Sequence, residues 1–185
     1  MQLTNYKDLF EELWGTLKNL TGSVAEFGVY SGSTTKILAN ITGRDVYAFD
    51  TFTGIPKEDY NPDLDRDEPG KFKPGQPLSE LYKDYPTVTP VVGRFVESLP
   101  AFDVFDPNAV FVLVYIDCDL YASAKQVLDW IPSRLVDKAV MVFDDYSTHK
   151  GICKAVDEFC EQWKDSVTFA RSYGSSAIVT WNKDN

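Results

Sequence analysis

Two apolar runs end in paired aspartates. In "FVLVYIDCDLYASAK" the run from Phe111 to Ile116 gives way to Asp117 and Asp119, and in "AVMVFDDYSTHKG" the run from Ala139 to Phe143 gives way to Asp144 and Asp145. Four carboxylates facing one crevice repel one another and shift toward neutrality unless a cation joins them. A set of oxygen ligands, with neither His nor Cys among them, points to Mg²⁺ rather than zinc. Helix capping is the alternative, because Asp119 precedes the helix around "YASAK" and Asp145 the one through "KGICKAVDEF". Capping accounts for one aspartate of each pair and leaves Asp117 and Asp144 unexplained.

A second group of residues suits an anionic or nucleoside ligand. In "VAEFGVYSGSTTKILA" a strand runs into Gly28, a loop reaches Gly32, and a helix opens at Ser33 or Thr34. Glycines there let the backbone approach a ligand, and free helix N-terminal amides favour a carboxylate or phosphate. A dinucleotide fingerprint would read GxGxxG, but Tyr30 occupies its second glycine position, which weakens NAD and leaves smaller nucleoside ligands. Glu26 stands before the turn, and Asp50 ends the next strand in "VYAFDTFTGIP", where an acidic residue receives ribose hydroxyls. His149, the only histidine, follows the second acidic pair. A lone loop histidine is expected to be exposed rather than catalytic.

These residues need a scaffold, and the hydrophobic pattern supplies one. Short runs at Val24 to Phe27, Val46 to Phe49, Thr89 to Val92, Phe111 to Ile116 and Ala139 to Phe143 alternate with helical patterns. One such pattern is "SAKQVLDWIPSRL", whose Ala124, Val127, Leu128 and Ile131 share a face. After "GICKAVDEFCEQW" come "VTFARSY" and "AIVTW", separated by Gly174, Ser175 and Ser176, which read as a β-hairpin. The predicted fold is α/β: a doubly wound, Rossmann-like, mostly parallel seven-stranded sheet with a C-terminal antiparallel hairpin strand and helices on both faces. The first helix, "YKDLFEELWGTLKNL", is expected against the sheet edge. The stretch "PKEDYNPDLDRDEPGKFKPGQPL" has no periodicity, and residues 57–78 are expected to form a mobile lid over the site.

The 185 residues fit one domain, since domains typically hold roughly 100 to 200. A formal net charge of -10 repels phosphate backbones, so nucleic acid is not an expected partner. No apolar run approaches the about 20 residues needed to span a bilayer, and the start lacks a signal-peptide pattern, so a soluble, cytoplasmic protein is expected. Cys118, Cys153 and Cys160 form no CxxC pair and are expected to stay reduced. The oligomeric state is open, with a homo-oligomer among the assemblies the chain allows.

Six blocks in order, "AEFGVYSGSTT", "AFDTFTGIP", "VVGRFVESLP", "YIDCDLYASAKQVLDW", "MVFDDY" and "GICKAVDEF", resemble the macrocin O-methyltransferase family. The resemblance spans about Val24 to Phe159. It implies a class I S-adenosylmethionine-dependent enzyme that methylates a sugar hydroxyl in natural-product biosynthesis. The cofactor site so implied comprises Glu26, Gly28, Tyr30, Ser31, Asp50, Thr51, Gly93, Arg94, Phe95 and Asp117. The methionine end would lie near Glu26, Gly28 and Ser31, the ribose on Asp50, and the adenine beside Gly93, Arg94 and Phe95. The resemblance further implies Asp117, Asp144 and Asp145 as Mg²⁺ ligands and Asp119 as general base. Family members commonly carry extra N-terminal helices, whereas about twenty residues precede the first strand here, so a simpler sugar than a macrolide or aminocoumarin glycoside is expected. Other readings of the same pattern are an NAD-dependent oxidoreductase, for which no Ser/Tyr/Lys set stands out, and a non-catalytic Mg- or nucleotide-binding domain. A receiver-like domain would place its acidic pair after the first strand, where this chain has a glycine loop.

Overall fold

The computed structural model describes residues 5–183. Seven strands, β1 (Ser23–Phe27), β2 (Val46–Asp50), β3 (Val88–Val92), β4 (Phe111–Ile116), β5 (Leu135–Phe143), β6 (Val167–Tyr173) and β7 (Ser176–Trp181), form one sheet in the order β3-β2-β1-β4-β5-β7-β6. β1 to β5 run parallel, and β7 pairs antiparallel with both β5 and β6. The strand order reverses between β1 and β4, and ligands of such sheets bind outside the strand carboxyl ends at that point.

The sheet is covered on both faces because its central strands are apolar at consecutive positions. All six residues of β4 are buried. Leu113 and Tyr115 pack on one side with α1 (Tyr6–Leu17) and α2 (Ser33–Thr42), while Val114 and Ile116 pack on the other. That second layer holds α4 (Phe95–Phe105), α5 (Tyr121–Trp130) and α6 (Lys150–Gln162); the one-turn α3 (Leu78–Leu81) precedes β3. The expectation that α1 sits at the sheet edge is not met. Its stripe Leu9, Phe10, Leu13 and Leu17 joins Val24, Leu113 and Val142 over the middle of the sheet, with Phe10 edge-on to Tyr115 at 5.4 Å. Leu113 and Tyr115 would otherwise face water, and covering them removes more apolar surface than an edge position could. Among the described residues no helix is long and apolar enough to cross a membrane.

Candidate active site

Parallel pairing brings the residues just past four strand ends to one level. The amide of Gly28 donates to Phe49 O (2.9 Å), that of Asp117 to Phe27 O (2.8 Å), that of Asp144 to Ile116 O (2.9 Å) and that of Gly93 to Asp50 O (3.0 Å). A cavity of about 270 Å³ opens there. Gly28, Tyr30, Asp50 and Thr51 line it from the first two strand ends, Gly93, Arg94 and Phe95 from the third, and Asp117, Asp119 and Asp145 from the last two. Glu26, Ser31 and Asp144 lie outside its lining.

Gly28 is demanded by the protein itself. Its φ is +86°, and a Cβ there would lie 1.9 Å from the carbonyl oxygen of Asp117, so β1 and β4 can close together only without a side chain. Asp50 then holds the loop that follows. Its Oδ2 accepts from the amides of Val29 (2.6 Å) and Tyr30 (3.1 Å), and its Oδ1 accepts from the amide of Phe52 (2.7 Å). The Thr51 hydroxyl lies 3.3 Å from Oδ1 but has one proton, which it places on Gly54 O at 2.8 Å. One acceptor position of Asp50 is therefore left for a ligand hydroxyl. Glu26 is 1% exposed with one carboxyl oxygen unpartnered, and burial pushes its pKa up to about 8, with the nearby Asp50 charge adding and a hydrogen bond from Thr35 opposing.

Capping does not explain the aspartates. The helix after Asp119 has no side-chain cap from its own N-cap residue, Leu120, and its first amide, Tyr121 N–H, donates instead to Asp65 of the 57–78 segment (2.8 Å). Asp119 (φ +61°) and Asp145 (φ +54°) adopt the left-handed conformation, which aspartate tolerates better than most residues. This turns each chain sharply off its strand. Asp117, Asp119 and Asp145 thereby present oxygens within 4.8 Å of one another. Asp144, expected among them, stands outside this cluster, with the Tyr115 hydroxyl between its carboxylate and that of Asp117. It accepts from the hydroxyls of Tyr6, Tyr115 (3.0 Å) and Ser176 (3.0 Å).

The trio suits a hard cation. Among the described residues no Lys or Arg forms an ion pair with it, and the basic side chain beside it is the His149 imidazole. Burial first, then the charges of Asp144 and Asp119, push the Asp117 carboxyl well above the usual carboxylate range. Burial, and next the charge of Asp67, raise Asp119 to about 7, while His149 pulls it back. Oxygen donors that repel one another this strongly are relieved by a divalent ion, and the donor set fits Mg²⁺.

His149 is not exposed, contrary to expectation. It is 4% exposed, with Nε2 at 2.9 Å from Asp67 and Nδ1 at 3.1 Å from Asp145. Sequence reasoning undervalued it because the partner that buries it, Asp67, lies 82 residues away in a stretch without periodicity. The same stretch contributes Asp59, bound to Arg94 at 2.7 Å, and Phe72, which meets Tyr30 edge-on at 5.5 Å at the cavity wall.

A seven-stranded α/β sheet with an antiparallel seventh strand and a cavity at its switch point is the architecture of Rossmann-like methyltransferases. The model of the macrocin-O-methyltransferase (TylF) family matches residues 2–168, and the chain belongs to that family. It is an S-adenosylmethionine-dependent O-methyltransferase. Among solved structures, CalS11, a calicheamicin methyltransferase, aligns with a TM-score of 0.79 at 24% identity, over 95% of this chain and 78% of its own. The O-methyltransferase NovP aligns with a TM-score of 0.79 at 19% identity, over 96% and 79%. MycE, a methyltransferase of the mycinamycin pathway seen with Mg and SAH, aligns with a TM-score of 0.65 at 12% identity, over 96% and 49%. These identities carry the fold alone. No curated protein sequence matches the chain significantly.

Proposed function

We propose that the protein methylates a sugar hydroxyl, with Mg²⁺ at the aspartate trio and residues 57–78 as the wall that closes over the acceptor. The observation that carries this reading is Asp119. It is a buried carboxyl poised near 7 that faces the same point as Asp117 and Asp145, on the cavity of a macrocin-O-methyltransferase family chain. A sugar acceptor is supported by CalS11, a TDP-rhamnose 3'-O-methyltransferase, and a metal by the Mg complex of MycE.

S-adenosylmethionine supplies an electrophilic sulfonium methyl group. Gly28 keeps the first loop against β4, Asp50 rigidifies that loop and keeps one acceptor position for a ribose hydroxyl, and Gly93 and Phe95 border the space left for the base. Glu26, buried in β1 and neutral near pH 7, brings no charge to this end of the site. Asp117 and Asp145 would hold Mg²⁺, which would supply positive charge that makes an acceptor hydroxyl more acidic. Asp119 accepts the hydroxyl proton as the new C–O bond forms.

Isothermal titration with S-adenosylmethionine and with S-adenosylhomocysteine, each with Mg²⁺ and after chelation, tests the reading. The expected result is one saturable site for either ligand, with heats that change when Mg²⁺ is removed. Absence of binding under both conditions would refute the cofactor assignment, and identical heats would remove the metal.

A further inference from the structure

Three aspartates of the 57–78 segment each seat on the start of a different helix. Asp59, 7% exposed, binds the guanidinium of Arg94, the N-cap residue of α4 (2.7 Å). Asp65, 6% exposed, accepts the first amide of α5. Asp67 meets Nε2 of His149, the N-cap residue of α6, at 2.9 Å. The backbone follows, with the Gly151 amide donating to Leu64 O at 3.0 Å.

The third seat also touches the proposed chemistry. Nδ1 of His149 lies 3.1 Å from Oδ2 of Asp145 and 3.1 Å from the Thr148 hydroxyl, which donates to the other Asp145 oxygen at 2.6 Å, so the ring meets this carboxylate both at close range and through Thr148. Nε2 lies 4.0 Å from Asp119, and Asp67, Asp119 and His149 present atoms within 4.8 Å of one another. Without the ring, two like-charged carboxylates would face each other across a partly buried gap and push apart.

We propose that His149 is a positioning residue: its imidazole holds Asp67 of the segment and Asp145 of the trio at once, and so fixes both the aim of the carboxylates and the place of the wall above them. Its effect on turnover rests on the methyl-transfer reading above. Its effect on the segment does not. A carboxylate turns freely about its last bond unless a neighbour holds it, and partners one step removed from reacting groups are worth about 10- to 100-fold in metal affinity or activity.

The test compares His149→Gln, Asp67→Asn and the double variant. Gln can reach one of the two carboxylates but cannot bridge both. In hydrogen exchange on the protein without cofactor, amides of residues 61–71 should exchange at least about tenfold faster in His149→Gln while those of β4 keep their protection. Unchanged exchange in the segment, or an equal rise in β4, overturns the proposal. With a methylated acceptor in hand, kcat should fall about 10- to 100-fold at an unchanged KM for S-adenosylmethionine. The double variant should be no worse than the more affected single one. Additive losses, or a loss confined to cofactor KM, overturn it as well. A wild-type protein that transfers no methyl group would sink the methyltransferase reading and leave the exchange measurement to decide the role of His149.

Discussion

Replacing the proposed base should stabilise the metal-free protein. In the folded chain Asp119 titrates at about 7, against an ordinary value of 3.8. Between those two values the unfolded chain has released its proton and the folded chain retains it. The stability tied to this carboxyl is therefore fully present below pH 3.8, falls as pH rises through the window, and is gone above pH 7. About three pH units at 1.36 kcal/mol each is about 4 kcal/mol by pH 8, and about 2 kcal/mol by pH 5. An asparagine in its place would keep the shape, remove the charge and tolerate the left-handed backbone. Urea unfolding with a chelator should find Asp119→Asn more stable by about 4 kcal/mol at pH 8, and by about half that at pH 5. For a chain of this length the gap at pH 8 corresponds to about 8 to 16 °C in Tm. Methyl transfer by the variant should fall by about 10² to 10⁴. A variant less stable than wild type at pH 8, or a gap that does not shrink toward pH 5, would refute the reasoning.

Three further outcomes follow from the same geometry. In the metal-free protein the Asp119 carboxyl should titrate at about 7, and Mg²⁺ among the neighbouring carboxylates should pull that titration down; an NMR titration of the carboxyl that Mg²⁺ leaves unmoved would place the ion elsewhere. Gly28→Ala would put a methyl 1.9 Å from a backbone oxygen at φ +86°, so the β1 and β4 ends must part; S-adenosylhomocysteine binding should be lost in titration, and retained affinity would contradict the described packing. Gly151→Ala would bring a methyl to 2.7 Å from the Asp65 oxygen that receives the Tyr121 amide. The about 1 kcal/mol that Ala gains over Gly in a helix offsets a lost cap of about the same size. Global stability should barely change while proteolysis within residues 57–78 accelerates, and an unchanged cleavage rate would show that the segment does not depend on this seat.

The sheet was legible because its strands are short apolar runs bounded by polar turns, and each of the five parallel runs lies within the strand it announced. The carboxylates at the ends of β4 and β5 were legible for the same reason, since a buried strand that stops in two acids has few uses. What the pattern could not convey was direction. Asp119 and Asp145 join Asp117 through left-handed turns, whereas Asp144 turns toward Tyr6 and Tyr115, and nothing in "DDY" distinguishes its two aspartates. The 57–78 segment was visible only as a stretch without period. Its inward-facing Asp59, Asp65 and Asp67 look like any solvated acids until α4, α5 and α6 offer them helix starts, and burial of His149 depends on that docking. Gly151, read as one residue in a helical pattern, is small because Asp65 and Leu64 pass over it.

The most direct measurement is methyl transfer from isotopically labelled S-adenosylmethionine to a panel of nucleotide-linked and free deoxysugars, followed by mass spectrometry with Mg²⁺ and with a chelator. The expected product carries one labelled methyl on a sugar hydroxyl, formed with Mg²⁺, suppressed by the chelator and absent with Asp119→Asn. A methyl group placed on a nitrogen or a catechol, or transfer undiminished by both the chelator and Asp119→Asn, would contradict it.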